Sequence, residues 1–588
     1  MPKEFILNIK MLSDWHIGTG SGRAGSVDSL VRKDEYGFPY ISGKTCNGIL
    51  RDACEVVASK LDDGWQNYIE LLFGSQPSLN KDGDVLDKPQ NAAFQIENAC
   101  YSDNIRKFLK DKKTLKDALT FVKPSMSVDE KTGMAKDDHL MFEEMARCGA
   151  ELSAKCSLDL DDYDEDTKKR AFDLLLAGCK FADRIGGKRR RGSGKCEISI
   201  KDSNISDFEL LREYKEPKKI SSSREISKSE NSANELKCYK LTITTKSPVC
   251  VMTRTVGNII QSLDYIPGTH IIPILSKKLG ESVISDAIKN SNLIVTNAYP
   301  VIDGKRSLPV PFCFFQKKLE TESIINRSLV KEENSTQLKQ WRNVFIDIDN
   351  NNLIFTKAQK IVNTHSVVDD KTQSPSDDGV YSIEAIKPNT TFISYIWFDG
   401  DIGNDWGDVK IGTAKHAEYG SVTFNIEPCV FENEKRIESY NEGDKLSLWF
   451  ASDAIFYDDK LRMTPVIDIL KAALEKELKD LSKATLEKEL GEGYELTPID
   501  TEGLISSATR QERTESWQTS WGLPRPTLSS IKAGSYVKFS SNNEKIPNEL
   551  IKELEKFGIG ERRAEGFGRV IVNPKFEKDY KAEKFEEG

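Results

Sequence analysis

The chain has 588 residues, 38% of them hydrophobic and 30% charged, with a net charge of −9. That length is too great for one hydrophobic core and sets an expectation of about three domains. No apolar run is long enough to span a bilayer and residues 1–5 carry no apolar leader core, so a cytoplasmic protein without membrane contact is expected.

In chain order, a strand-like segment at residues 5–12 leads into a loop holding Gly18, Gly20, Gly22 and Gly25, then a short apolar stretch at 38–41. After Ser42-Gly43, the spacing of Leu50, Ala53, Val57 and Leu61 predicts an amphipathic helix. A second helix carrying Phe172, Leu175, Leu176 and Cys179 runs into Ile185-Gly-Gly-Lys-Arg-Arg-Arg-Gly-Ser-Gly-Lys195, and a strand follows at 196–200. Strand, helix, strands, helix, strand is the outline of a ferredoxin-like βαββαβ unit, with much of residues 80–138 expected to be insertion. This first domain spans 1–211, and the Ser/Lys/Glu-rich stretch 212–237 reads as a linker.

Tyr239, Leu241 and Ile243 alternate in a new opening strand. Downstream, Tyr265-Ile-Pro-Gly-Thr269 echoes Tyr40-Ile-Ser-Gly-Lys44, and the loop Ile411-Gly-Thr-Ala-Lys-His-Ala-Glu-Tyr-Gly420 precedes a strand at 422–424. These features place a second domain at 238–428. A third, at 429–575, holds a strand at 446–450, a charged helical stretch at 465–490, an aromatic loop with Trp517 and Trp521, a strand near 536–539 and a helix at 548–557. It closes with Gly558-Ile-Gly-Glu-Arg-Arg-Ala-Glu-Gly-Phe-Gly-Arg569 before a strand at 570–572 and a charged tail at 576–588. The expected fold class is α+β, with tandem ferredoxin-like (RRM-like) βαββαβ domains carrying insertions.

The recurring Gly/Arg loop carries the chemistry. A glycine turn between helix and strand offers backbone N–H groups and guanidinium forks to a run of phosphates. Residues 180–195 hold seven Lys or Arg against one Asp183, while the acidic balance comes from 159–166, 475–492 and the tail. Lys188, Arg189, Arg190, Arg191 and Lys195 are therefore the first candidates for RNA contact. Arg562, Arg563 and Arg569 follow, diluted by Glu561 and Glu565, and Lys415 stands in the third loop. The alternative is a solvated basic surface.

Other motifs carry less. Gly43-Lys44-Thr45 lacks the spacing of a phosphate loop, with five residues between Gly37 and Gly43. Gly558-x-Gly560 follows a helix where a dinucleotide site needs a strand. His16 is a possible general base but also a structural or RNA-contacting residue, and Asp28 could hold a metal, orient a 2′-hydroxyl or form a turn. Asp137-Asp138-His139 is discounted as a metal trio because adjacent residues rarely converge on one ion. Trp517 and Trp521 could stack on bases or fill a core. The eleven scattered cysteines, with no Cys-x-x-Cys pair, read as reduced thiols, so neither zinc nor another cofactor is expected, with a divalent metal entering only if Asp28 is catalytic.

Several of these pieces together resemble the RAMP superfamily, the repeat-associated subunits of CRISPR effector complexes. They are His16-Ile-Gly-Thr-Gly20, the stretch from Gly37 to Arg51, Leu72-Phe-Gly74, Thr132-Gly-Met-Ala135 with Leu140-Met-Phe-Glu143, and the Gly/Arg loops. Asn297-Ala-Tyr-Pro300, the stretch from Gly379 to Ala385, Tyr419-Gly420, Trp521-Gly-Leu-Pro524 and Gly558–Arg563 are similar to the large RAMP subunit of type III-D systems.

The resemblance implies a multisubunit, crRNA-guided antiviral ribonucleoprotein. Its C-terminal half would grip the 5′ handle of the guide, and its first domain would line the guide–target duplex. It adds Gly18, Lys44 and Arg51 to the RNA-binding candidates and puts Asp28 where backbone subunits carry a target-cutting aspartate. Ser42 and Lys44-Thr45 depart from the family pattern there.

The expected function is thus a crRNA-binding structural subunit rather than an enzyme. The rival is an endoribonuclease cutting target RNA through Asp28 or processing precursor crRNA through His16. Partners implied are crRNA, target RNA through the guide, a large polymerase/cyclase-like subunit, backbone RAMP subunits and small subunits.

Overall fold

A computed structural model describes residues 2–23, 26–61, 64–75, 91–128, 135–201, 203, 211, 213–219, 236–318, 324–328, 337–349, 352–368, 375–404, 406–415, 418–431, 446–457, 504–514, 517–518, 523–524, 527–539, 548–577 and 581–582. Gly25, His416, Trp521, Thr132-Gly-Met134, the helical stretch expected at 465–490 and most of the linker and tail lie outside the described residues, as do the side chains of Asp137, Asp138, His139, Arg190 and Trp517.

Strand β1 (Glu4–Met11) buries Phe5, Leu7, Ile9 and Met11 while the intervening residues face outward, as a half-buried strand requires. Helix α1 (Gly43–Ala58) starts at Ser42, whose hydroxyl accepts the Thr45 N–H, and buries Cys46, Leu50, Ala53 and Cys54. It stops at Ala58, so Leu61 packs from the following turn. Helix α2 (Gln66–Phe73) precedes strand β2 (Phe94–Ile96). A hairpin, β3 (Thr120–Val128) and β4 (Ala135–Ala146), leads to β5 (Glu151–Leu158), α3 (Glu165–Phe181) and β6 (Cys196–Ile200). The sheet order β2-β5-β1-β6 is antiparallel throughout, the ferredoxin-like arrangement. The stretch expected to be mostly insertion therefore contains the second core strand, which at three residues is too short to show a period.

The second sheet starts with β7 (Lys237–Thr245). The short strands β8 (Met252–Val256) and β9 (Ile259–Ser262) lead to helices α4 (Gly268–Leu279) and α5 (Glu281–Lys289). Strands β10 (Leu293–Val295) and β11 (Tyr299–Ile302) follow. The hairpin β12 (Lys360–Val368) and β13 (Pro375–Ile386) comes next, then β14 (Thr391–Phe398), β15 (Gly407–Lys410) and β16 (Ser421–Pro428). Its order is β11-β14-β7-β16-β15, with β10 also on β14. Among the described residues no helix separates β14 from β16; Trp406 fills that space against Phe424, under the Lys278 ammonium.

The third sheet, β17 (Leu446–Phe450), β18 (Leu504–Ala508), β19 (Tyr536–Phe539) and β20 (Val570–Val572), has the order β18-β19-β17-β20 with helix α6 (Asn548–Phe557) before its last strand. An insertion at residues 303–356 packs Phe314, Phe345 and Phe355 with Trp449, Tyr536 and Ile571 of this sheet. Trp449 Nε1 donates to the Pro309 carbonyl at 3.1 Å.

Each of these three main sheets carries a hairpin between its second and third strands, the last being Gln511–Thr514 with Leu528–Ile531. Each hairpin ends against the segment leaving the first strand, through the bridges Trp15–Ala146, Val249–Ile386 and Ala454–Ile531.

The first two sheets meet through buried polar groups. Arg32 donates to the Thr364 carbonyl at 2.9 Å and lies 3.5 Å from the Glu418 carboxylate, which is 3% exposed. Burial raises the Glu418 carboxyl above its usual range, opposed by the charges of Arg32 and Lys44. Burial, with Lys44 and Arg32, pushes the His365 imidazole down to about 3. It is therefore neutral, and its Nε2 is hydrogen-bonded with the Tyr419 hydroxyl at 2.9 Å.

Arg32→Ala leaves Glu418 without this counter-charge and should cost on the order of 3 kcal/mol at pH 8. Because the folded-state carboxyl is already raised, the folded chain takes up this proton before the unfolded chain does, so the deficit shrinks as pH falls toward 5. Paired thermal melts of wild type and variant at pH 8 and 5.5 check this; a pH-independent deficit contradicts it.

Candidate functional site

Three loops close in the same way. The N–H of Ile185, Ile411 and Ile559 donates to the carbonyl of Gly194, Gly420 and Gly568, at 2.8 Å each time. The closing glycine's N–H donates to the carbonyl of Asp14, Pro248 or Asp453 at 2.9, 2.8 and 2.7 Å. The third residue of each loop, Gly187, Thr413 or Glu561, donates to the carbonyl of His16, Cys250 or Ile455 at 2.9, 2.7 and 3.0 Å. The residue after the closing glycine donates to the hydroxyl of Ser13, Ser247 or Ser452 at 2.8, 2.9 and 2.9 Å.

Backbone angles repeat too: φ is 56° at Lys188, 58° at Ala414 and 57° at Arg562. The closing glycines have φ of 73°, 83° and 70°, and a Cβ there would collide with the isoleucine carbonyl. The serines escaped sequence reading, although Ser13-Asp14 and Ser452-Asp453 recur at the same distance from their strands.

One backbone serves three different sets of side chains. In the first loop, residues 189–191 form a 3-10 turn flanked by Lys188 and Gly192, both left-handed. Arg191 and Lys195 are exposed, Lys188 pairs with Glu143 of β4, and the Arg189 carbonyl accepts from Arg184 at 2.9 Å. The half-buried Arg189 also lines an open groove of about 570 Å³ with Ile49, Asp52, Val56, Phe181 and Arg184.

In the last loop Arg562 pairs with Glu565 and lies over the Phe567 ring at 4.9 Å. Arg563 is half-buried beside it. Arg569 is 6% exposed, donates to the Lys556 carbonyl and stacks on Trp397 at 4.7 Å. Burial, with Arg306 nearby, lowers the Arg569 guanidinium to about 9. Arg569 is thus packed inside the protein, where the sequence alone made it a candidate for RNA contact. Lys415 is half-buried, and burial together with Lys277 lowers its ammonium below the usual range.

The second and third loops each seat on the preceding unit. Ser421 donates to Glu97 at 3.2 Å beside the start of α1, and the Glu565 carbonyl lies against Gly268 at the start of α4. The two helix starts are alike: Gly43 and Gly268 donate to the side chains of Asn98 and Asn297 at 2.8 and 3.1 Å. The repeated Asn-Ala at 98–99 and 297–298 was the available signal. Lys44 sits in this junction, exposed as a residue but bonded to the Tyr381 hydroxyl, with burial lowering its ammonium below the usual range. Arg51 pairs with Glu55 at 2.9 Å on α1.

His16 and Asp28 lie near the first loop but are not brought together. His16 Nδ1 donates to the Glu144 carbonyl at 2.7 Å, so Nε2 accepts the Ser29 hydroxyl at 3.0 Å. Gly18 passes the ring so closely that a Cβ there would lie 3.1 Å from Nε2. Asp28 is exposed, and its carboxylate accepts the Phe142 N–H at 2.7 Å while its own N–H donates to the Phe142 carbonyl at 2.8 Å. Among the described residues, no group of three or more His, Cys, Asp or Glu could hold a metal, and no helix is long and apolar enough to cross a membrane.

The first unit, with its Gly/Arg loop, is the part of the chain that a known family matches. Residues 8–197 match the RAMP superfamily. The match runs from the second half of β1 to the start of β6 and contains the whole first loop. No curated protein matches the chain.

Among solved structures, a chain of the type III-B Cmr-beta complex bound to cognate target RNA is similar at 10% identity and a TM-score of 0.25, over 34% of this chain and 98% of that one. A chain of the same type of complex bound to target RNA and AMPPnP, in state 1, gives 10% and 0.29 over 54% and 88%. A chain of a type IV-B CRISPR complex gives 13% and 0.23 over 36% and 100%. These likenesses are too distant to assign a role to the chain.

Closure of the first loop predicts unequal effects of two glycine substitutions. Gly37→Ala has an open position with φ of 86° and should cost about 1 kcal/mol through strain alone. Gly194→Ala adds the collision and should lower the melting temperature several degrees further. Equal melting temperatures for the two variants would refute the closure.

Proposed function

We propose that the chain is a guide-RNA-binding structural subunit of a CRISPR ribonucleoprotein effector of type III, D-like in subtype, acting in RNA-guided antiviral defence. One observation carries this reading. Of three loops with one backbone, the first keeps Arg191 and Lys195 exposed, whereas Lys415 and Arg569 are drawn into the protein.

The neighbouring hairpin supports it with a second surface: Met126, Leu140, Met141 and Phe142 are exposed on β3 and β4, beside the Lys188–Glu143 pair. Basic groups on a rigid turn hold phosphates, and apolar side chains next to them pack on or between unpaired bases. The guide runs along this face, the target pairs with it, and Arg562 and Arg563 remain the C-terminal candidates for the 5′ handle. The large polymerase/cyclase-like subunit, backbone RAMP subunits and small subunits are the protein partners.

Simultaneous Arg189→Ala, Arg190→Ala and Arg191→Ala should weaken guide binding at least tenfold at physiological salt. The slope of log affinity against log salt should fall by about 2, as expected for three lost contacts to a single strand. Unchanged affinity and slope would defeat the assignment.

Asp28 motivates a second reading, target-RNA cutting, because its exposed carboxylate is fixed at the base of the same hairpin. Purified protein loaded with guide and matching target tests it. Cutting that stops with a divalent-ion chelator and in Asp28→Asn supports that reading. Chelator-insensitive cutting lost in His16→Ala supports guide processing, and no cutting leaves the structural role.

A further inference from the structure

Strands β7 and β16 of the second sheet end side by side. The Cys429 N–H donates to the Cys238 carbonyl at 2.9 Å, and the two Sγ atoms are 3.3 Å apart. Cross-strand neighbours in an antiparallel pair have Cα atoms roughly 4.5–5.5 Å apart, inside the span a disulfide bridges. Both thiols are half-exposed, so small reagents reach them.

The thiols are also chemically unequal. The hydrogen bond from Cys238, with Lys240 close by, lowers the Cys429 thiol below its ordinary range, while that bond and burial raise Cys238. Such a pair supplies an attacking thiolate and a resolving thiol.

We propose that Cys238 and Cys429 form a dithiol site that closes by exchange with a low-molecular-weight disulfide of the glutathione type. The Cys429 thiolate attacks one sulfur of that disulfide, the S–S bond breaks and one thiolate leaves. Cys238 gives its proton to solvent and attacks the Cys429 sulfur, expelling the second thiolate. Two protein thiols are oxidised and one small disulfide is reduced to two thiols.

The position gives closure a structural consequence. Cys238 lies directly across from Trp397 of β14, the ring on which Arg569 of the third unit stacks. A bond there fixes the end of β16 beneath the contact between the second and third units. This site is independent of RNA binding by the first unit.

The full-length protein, equilibrated with increasing ratios of oxidised to reduced glutathione and then alkylated, tests the site by peptide mass spectrometry. Cys148, which is exposed, is the internal reference for a single thiol. The expected result is coordinated loss of alkylation at 238 and 429, a linked peptide pair without glutathione, and full reversal by dithiothreitol. In Cys238→Ser, glutathione should remain attached to Cys429. Wild-type cysteines that stay alkylatable at a ratio that modifies Cys148, or that each retain a glutathione, would overturn the proposal.

Discussion

Three donated hydrogen bonds tie each glycine loop to the segment leaving the first strand of its unit while a fourth closes the loop on itself, and much of the architecture follows from them. They use main-chain groups and one serine hydroxyl, leaving the turn's side chains unconstrained by closure. That freedom lets Lys188-Arg189, Ala414-Lys415 and Arg562-Arg563 occupy corresponding positions. The same segment that receives the loop also bridges the hairpin. Loop, strand exit and hairpin therefore form one rigid face in each unit, and rigidity lowers the entropy cost of holding a flexible polyanion.

The fate of the three faces differs because the units dock in series. The second and third loops enter the helix starts of the units before them, where partly or deeply buried cations are turned inward. Arg569 on Trp397 shows what docking does to a basic side chain: it loses water and gains an aromatic surface. The first loop retains exposed basic groups in a chain whose net charge is −9. Local charge on a fixed frame, rather than total charge, is what a phosphate run meets.

The fold class was legible because its signals are periodic or punctuated. Alternation in β1 and β7, the face of α1 and the glycines of the loops all report local geometry. The recurrence of Tyr-Ile-x-Gly at 40–43 and 265–268 marked two helix starts that the structure builds alike. Strand β2 was missed because three residues cannot show a period. The serine latches were missed because a lone serine after a strand has no sequence meaning until the loop it caps is adjacent. At the site, sequence identified the basic residues but not their surroundings. Burial of Arg569 and the pairing of Lys188 with Glu143 depend on contacts between residues far apart in the chain.

The proposed function requires that the first loop and its hairpin face the guide. Ultraviolet cross-linking of the protein co-expressed with its own repeat array, followed by mass spectrometry of RNA-bound peptides, tests it most directly. Cross-links are expected within residues 120–146 and 184–195, on RNA that reads as repeat-derived guide. Guide RNA cross-linked only outside those two segments, or protein that carries no guide at all, would contradict it.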